Sequence, residues 1–177
     1  MLIVKEKSQL VIVDVQEKLV SVMPKPHAFI DNIIKLQKAA KILDIPTLYS
    51  EQYPKGLGKT IKEIIKNFDK NTEGVIKTEF AVSPGTFEHG VPDHCIICGI
   101  EAHVCVLQTA FEFADHGDRV FVVQDAISSR YEKDYLTALS RLDKYPNIDV
   151  VSCEMVLFEW LVKSDTKEFK AISQLIK

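Results

Sequence analysis

The sequence contains no long hydrophobic run and no block of basic residues. A membrane-spanning helix needs roughly 20 predominantly apolar residues in succession, and no stretch of this chain reaches that length. Proteins that bind nucleic acid or anionic lipid usually present clustered Lys and Arg, whereas the formal net charge here is −3. We therefore expect neither nucleic acid nor a membrane among the partners of this protein.

Cysteine is also scarce, with four residues in a chain of 177. The first residues, MLIVKEKSQL, contain neither a long apolar segment nor a small-residue cleavage site, so we expect no secretion signal. The thiols should then be reduced in a cytoplasmic protein, with an organellar location left open. A domain of this size buries roughly 70% of its unfolded surface and folds without disulfides. We predict a single domain over residues 1–177.

Short apolar runs alternate with segments of helical length along the chain. We predict strands at LVIV (10–13), IPTLYS (45–50), VIKT (75–78), CIIC (95–98), VFVV (120–123) and IDVVS (148–152). Most are continuously apolar, which is typical of parallel strands covered on both faces. Between them apolar residues recur at helical spacing, and one such segment stops at Gly117, a common helix C-cap. This pattern predicts a three-layer, doubly wound α/β fold: about six mostly parallel strands with helices on both faces, Rossmann-like in architecture.

Polar residues follow three of the predicted strands directly. In open α/β sheets ligands bind beyond the carboxyl ends of the strands, so these positions are the first candidates for a site. The residues are Asp14 and Gln16 after the first strand, Lys77 at the third, and Glu101, His103 and Cys105 after the fourth. We expect a carboxylate, an ammonium and a thiol to meet at this edge of the sheet.

A carboxylate, an ammonium and a thiol in contact would suit nucleophilic catalysis. A neighbouring base, a lysine or a helix N-terminus can lower the pKa of a thiol from its usual value of about 8.5. Asp14 would accept the proton of Cys105, Lys77 would keep Asp14 ionised, and backbone N–H groups at the helix start would bind the oxygen of an attacked carbonyl. Taken singly, each residue has an ordinary structural explanation, so the interpretation depends on their convergence.

Other motifs in the sequence point to functions that their context does not support. In a strand, residues three apart face opposite sides, so Cys95 and Cys98 of CIIC should pack in the core instead of forming a redox pair. Glutamine at position 16 removes the second carboxylate of an Asp-x-Asp phosphatase motif. No glycine-rich phosphate turn follows the first strand, and His94 and His103 lack further zinc ligands at suitable spacing.

Three motifs together resemble the isochorismatase-like cysteine hydrolases, the superfamily that includes nicotinamidases and N-carbamoylsarcosine amidohydrolase. They are IVDVQEKL (12–19), KTEF (77–80) and GIEAHVCVLQTAF (99–111), and the similarity extends through VFVVQDAISSR (120–130). The resemblance implies an isochorismatase-like hydrolase fold with a catalytic triad of Asp14, Lys77 and Cys105. It also implies a cis peptide bond at Ile100–Glu101, with the backbone amides of Glu101 and Cys105 forming an oxyanion hole.

The positions at which this sequence departs from the family's pattern are also informative. Metal-dependent nicotinamidases carry Asp-x-His and a further His after the second strand, but the corresponding segment here, YSEQYPKGLG, contains no histidine. We therefore expect no metal, no organic cofactor and a substrate other than nicotinamide. We predict that four side chains line the substrate pocket: Gln16, Tyr53, Phe80 and His103.

The function we predict is hydrolysis of a small amide- or carbamoyl-type substrate, at a C–N bond other than a peptide bond, through a thioester on Cys105. The resemblance further implies a homo-oligomer, a dimer or larger, and the apolar segment EMVLFEWLVK (154–163) is a candidate for part of its interface. The alternative is a catalytically silent binding or scaffolding protein that keeps the hydrolase fold.

Overall fold

The computed structural model describes residues 1–69, 72–86 and 93–176. Within these ranges six strands form one sheet: β1 (Ser8–Val13), β2 (Thr47–Gln52), β3 (Val75–Lys77), β4 (His94–Ile100), β5 (Arg119–Ser128) and β6 (Ile148–Val151). The strand order is β3-β2-β1-β4-β5-β6, and all neighbouring strands pair in parallel. The six predicted strands are confirmed, and the chain reverses its direction of travel across the sheet between β1 and β4.

Helices connect the strands. They are α1 (Glu17–Val20), α2 (Pro26–Ile42), α3 (Pro54–Leu57), α4 (Lys62–Ile65), α5 (Leu107–His116), α6 (Glu132–Leu142), α7 (Cys153–Leu161) and α8 (Lys167–Ile176). A π-helical turn over Ala102–Val106 leads into α5, which ends at Gly117 with φ of 110°, as the sequence predicts. In the described part of the chain, none of the helices combines the length and apolar character needed to cross a membrane.

The two faces of the sheet bury separate hydrophobic cores. On one face, α2, α7 and α8 contribute side chains that include Leu36, Trp160 and Ile172. On the other, α5 and α6 contribute side chains that include Phe113 and Leu142. Helices therefore cover both faces, as predicted, and this double coverage explains why the central strands are continuously apolar.

The CIIC motif lies in β4 and contributes to both cores. Cys95 packs with the α5 and α6 face, whereas Cys98 packs with the α2, α7 and α8 face. Burial raises the pKa of both thiols well above its usual range. The prediction that these cysteines are core residues, unable to bond to each other, is confirmed.

The apolar segment 154–163 is mostly a core element. Leu157 and Trp160 of α7 are fully buried against the sheet, while Met155 and Phe158 are about half exposed. The suggestion that this segment contributes to a subunit interface is therefore restricted to its outer side, where it stays a prediction.

Gly99, near the end of β4, allows this strand to approach β1 closely. A Cβ atom at Gly99 would lie 2.1 Å from the Val13 carbonyl oxygen, and the residue has a φ of +118° that side-chain-bearing residues rarely adopt. Because Val13 immediately precedes Asp14, this glycine sets the spacing between the two strand ends that carry the predicted site.

We expect Gly99→Ala to lower the free energy of unfolding by about 3 kcal/mol or more, since overpacking adds to backbone strain. Gly117→Ala is the matched control, because its φ is also positive but nothing lies within 4 Å of an added Cβ. Strain alone should cost about 1 kcal/mol there. Urea unfolding of both variants measures the difference, and equal losses would contradict the proposed close approach.

Candidate active site

The structure brings Asp14, Lys77 and Cys105 together at the carboxyl edge of the sheet. Asp14 follows β1, Lys77 ends β3, and Cys105 lies in the π-helical turn after β4. The Lys77 ammonium donates a hydrogen bond to Asp14 Oδ2 at 2.7 Å, and the Cys105 thiol lies close enough to both side chains for each of them to shift its pKa. The convergence on which the sequence interpretation depends is present, while the catalytic role of each residue stays a prediction.

The Asp14 carboxylate is completely buried and bonded through both of its oxygens. Oδ1 accepts a hydrogen bond from Ser50 Oγ at 2.6 Å, and Oδ2 accepts the bond from Lys77. The backbone of Asp14 has a φ of 50°, a left-handed conformation that Asp tolerates better than most residues. This turn ends β1 and leaves the carboxylate beside the thiol.

The Lys77 ammonium has four acceptors around it. Besides Asp14 Oδ2, these are Gln52 Oε1 at 2.7 Å, the Phe80 carbonyl at 2.9 Å and the Glu79 carbonyl at 3.3 Å. An ammonium group has three N–H bonds to donate. Lys77, with a side chain only 5% exposed, therefore has all its donors engaged by the protein.

Ser50 and Gln52, which the sequence interpretation did not assign to the site, support both charged residues. They lie two positions apart on β2 and so face the same side of the sheet. Ser50 contacts Asp14, and Gln52 contacts Lys77. The predicted strand stopped at Ser50, whereas β2 extends to Gln52; the consecutive polar residues at 50–52, directly after an apolar strand, were the available signal.

Gln16, one of the predicted pocket residues, has its side-chain amide bonded to the backbone. Its amide nitrogen donates to the carbonyls of Gln52 (3.0 Å) and Gly58 (2.7 Å), and its oxygen accepts from the Gln52 N–H at 2.7 Å. The side chain is wholly buried and has its oxygen and both amide hydrogens bonded to backbone. Gln16 therefore ties the end of β2 and the following loop to β1, and its contact with substrate stays a prediction.

The other predicted pocket residues have side chains that a ligand could reach. Tyr53 and Phe80 are 55% and 51% exposed, in the segments that follow β2 and β3. His103 is partly buried in the same π-helical turn as Cys105, and its Nδ1 shares a hydrogen bond of 2.9 Å with Ser129 Oγ. Their contact with substrate stays a prediction.

The peptide bond between Ile100 and Glu101 is cis, as the family resemblance implies. The Glu101 carbonyl accepts hydrogen bonds from the N–H groups of Val104 and Val106. Its carboxylate accepts bonds of 3.1 Å from both the backbone N–H and the Nε of Arg130. The segment before Cys105 is thus held from both sides, and the oxyanion hole formed by the amides of Glu101 and Cys105 stays a prediction.

The environment of the Cys105 thiol raises its pKa to about 12, chiefly through burial and then through the negative charge of Asp14. Lys77 acts in the opposite direction but does not outweigh these effects. The lowering of this pKa that the sequence interpretation allowed for is therefore not found. With a pKa of about 12, the Cys105 thiol is protonated at neutral pH.

Across residues 1–69, 72–86 and 93–176, no cluster of three or more His, Cys, Asp or Glu side chains is arranged to hold a metal ion.

The parallel sheet with helices on both faces is the architecture of the isochorismatase-like hydrolases. The family model for the Isochorismatase domain matches residues 8–154. The chain belongs to the isochorismatase family.

Individual relatives agree with this assignment. Isochorismatase domain-containing protein 2 of Danio rerio is 34% identical, over 96% of this chain and 86% of its own. The structure of MAR1 ribonuclease from Caenorhabditis elegans has a TM-score of 0.92 and 35% identity, covering 99% of this chain and 92% of that one. The YcaC gene product of Escherichia coli, described as an octameric hydrolase of unknown specificity, shares the fold with a TM-score of 0.85 at 21% identity, covering 99% and 90%.

We expect Asp14→Asn to lower the pKa of Cys105, because the substitution removes the raising charge and leaves the Lys77 ammonium in place. The thiolate fraction at neutral pH should therefore rise. Alkylation rate against pH, read for Cys105 by peptide mass mapping, measures this pKa.

Lys77→Met should raise the pKa of Cys105, because it removes the charge that lowers this pKa, and should shift the profile of alkylation rate to higher pH. Circular dichroism checks that both variants are folded. A thiol pKa that is unchanged or higher in Asp14→Asn would show that the carboxylate does not act on the sulfur.

Proposed function

We propose that this protein is a cysteine hydrolase that cleaves a small amide- or carbamoyl-type substrate at a C–N bond other than a peptide bond. The observation that carries the proposal is the contact of the Cys105 thiol with the Asp14 carboxylate, whose charge is paired with Lys77. A nucleophile, a base and a third group that orients the base are the parts that covalent catalysis requires. Family membership supports hydrolysis in general.

In the first half-reaction, sulfur attacks the substrate carbonyl carbon as Asp14 takes the thiol proton. Coupled transfer is needed because a thiol with a pKa of about 12 supplies little free thiolate at neutral pH. The backbone N–H groups of Glu101 and Cys105 hold the tetrahedral oxyanion, and one such donor is worth roughly 3–4 kcal/mol. Asp14 then gives its proton to the leaving nitrogen, the C–N bond breaks, and a thioester remains on Cys105.

The second half-reaction repeats the proton transfers with water. Asp14 removes a proton from water as its oxygen attacks the thioester carbon. The C–S bond then breaks, the acid is released, and the sulfur recovers the proton from Asp14. Lys77 stays paired with Asp14 whenever the carboxylate is charged.

We expect Cys105→Ala to reduce turnover by roughly 10³-fold or more, because it removes the nucleophile. Cys153→Ala is the matched control: burial also raises the pKa of Cys153 to about 12, but this thiol lies at the start of α7, away from Asp14 and Lys77. A panel of small amides, carbamoyl compounds and esters, with the acyl-enzyme detected by mass, tests both variants. A soluble Cys105→Ala protein with unchanged turnover would rule out this nucleophile.

A second candidate function is RNA cleavage, which the name of the Caenorhabditis elegans relative favours. The net charge of −3 and the fully engaged Lys77 ammonium favour the amide hydrolase instead, since RNA binding draws on free cationic groups. Incubation of labelled RNA with the wild type and with Cys105→Ala separates the two. Cleavage by the wild type that disappears in the variant would establish a nuclease at this site.

The alternative function, a catalytically silent binding protein with the same fold, is tested by which cysteines become acylated. As a hydrolase, the protein should form an acyl adduct at Cys105 and at none of its other cysteines, Cys95, Cys98 and Cys153. As a binder, it should give no adduct with any member of the panel.

We also propose a homo-oligomer in the cytoplasm with a small-molecule substrate as its partner. The half-exposed Met155 and Phe158 on α7, together with the exposed Leu2 and Val4, support a contact between subunits. Light scattering measures the molar mass, and a monomer at micromolar concentration would contradict the assembly.

A further inference from the structure

The cation nearest the reactive sulfur is not available to a ligand. Lys77 uses its N–H groups on Asp14, on Gln52 and on backbone carbonyls, and it is almost fully buried. A carboxylate or phosphate on a substrate would have to displace one of these acceptors. Displacement would take the ammonium away from an acceptor that the protein supplies, and this cost offsets what the new contact contributes.

Two other polar side chains near the site, Glu101 and Gln16, also have protein partners. The carboxylate of Glu101 accepts from Nε of Arg130, so this pair adds no net charge beside Cys105. The Gln16 amide hydrogens are both donated to backbone carbonyls. Among the described residues that contact Asp14, Lys77 or Glu101, no cationic side chain is left without an anionic partner.

The negative charge that passes from Asp14 to the oxyanion during the reaction adds a second constraint on the charge of the substrate. Asp14 carries one negative charge at rest, and in the proposed mechanism this charge passes to the oxyanion as Asp14 takes the proton. Lys77 balances that single charge throughout. A substrate that carried its own carboxylate would place two negative charges opposite one ammonium, in a buried site where repulsion is weakly screened.

We infer that the site accepts uncharged amides or carbamoyl compounds and discriminates against substrates with a carboxylate or phosphate near the scissile carbonyl. The inference rests on the proposed role of Cys105 as the nucleophile. The effect of Asp14 on the thiol agrees with it, since at the sulfur the negative charge of Asp14 outweighs the positive charge of Lys77.

Two alkylating reagents of nearly equal size test the inference. Iodoacetamide is neutral and iodoacetate is anionic, and both react by the same step: sulfur displaces iodide from the CH₂ carbon, and the thiol proton is released. Because the reagents are nearly equal in size, steric hindrance affects both alike, and the ratio of their rates at Cys105 reports the effect of the reagent's charge, which includes the desolvation of its carboxylate. The amide of N-acetylcysteine, measured at the same pH and ionic strength, gives the reference ratio for an unshielded thiol.

We expect the ratio of iodoacetamide to iodoacetate rates at Cys105 to exceed the reference by about tenfold or more, because the reagent carboxylate would lie within a few ångströms of Asp14. In Asp14→Asn the ratio should fall to the reference or below it, since the Lys77 ammonium then lacks its anion. Peptide mass mapping assigns each adduct to its cysteine.

A ratio equal to the reference in the wild type would overturn the inference, and so would failure of both reagents to modify Cys105 in the native protein. The substrate panel distinguishes a failure of this inference from a failure of the proposed function. A reference-like ratio together with an acyl-enzyme from neutral amides would reject charge selection and leave the hydrolase intact. A large ratio without any acyl-enzyme would retain charge selection and reject amide hydrolysis.

Discussion

The buried contact between the Lys77 ammonium and the Asp14 carboxylate joins two strands, β3 and β1, that are not neighbours in the sheet. Charges removed from water are tolerated only where partners and hydrogen bonds replace the lost hydration. The strand between them supplies these partners, because Ser50 bonds the carboxylate and Gln52 bonds the ammonium. The ion pair thereby fixes the relative position of three strand ends, and Gln16 fastens the backbone of the middle one.

The same arrangement explains which features could be predicted from the sequence. Continuous apolar runs predict the strands well, since burial on both faces leaves few alternatives. The meeting of Asp14, Lys77 and Cys105 follows from parallel strand ends sharing one edge. The role of Gln16 could not be predicted, because a polar residue beside a site can face either the ligand or the backbone, and only the path of the loop through Gly58 decides between them.

The direction of the Cys105 pKa shift could not be predicted from the sequence either. A lysine, a carboxylate and a helix start within reach of a thiol act with opposite signs, and their balance depends on burial and distance. Here burial and Asp14 prevail. The consequence for the proposed mechanism is chemical: a protonated thiol is a weak nucleophile, so attack on the substrate carbonyl is coupled to proton transfer to Asp14.

Charge balance in the site also bears on product release. Before reaction the pocket holds one carboxylate and one ammonium, and a neutral substrate leaves that balance unchanged. In the proposed reaction, hydrolysis converts the substrate into a carboxylic acid, which is ionised at neutral pH and lies beside Asp14, whose partner Lys77 already has its donors engaged. Repulsion in a poorly screened site would favour release of this product. The engaged Lys77 on which the inferred charge selection rests would therefore also favour departure of the anionic product, and both effects would arise from the single ion pair at the edge of the sheet.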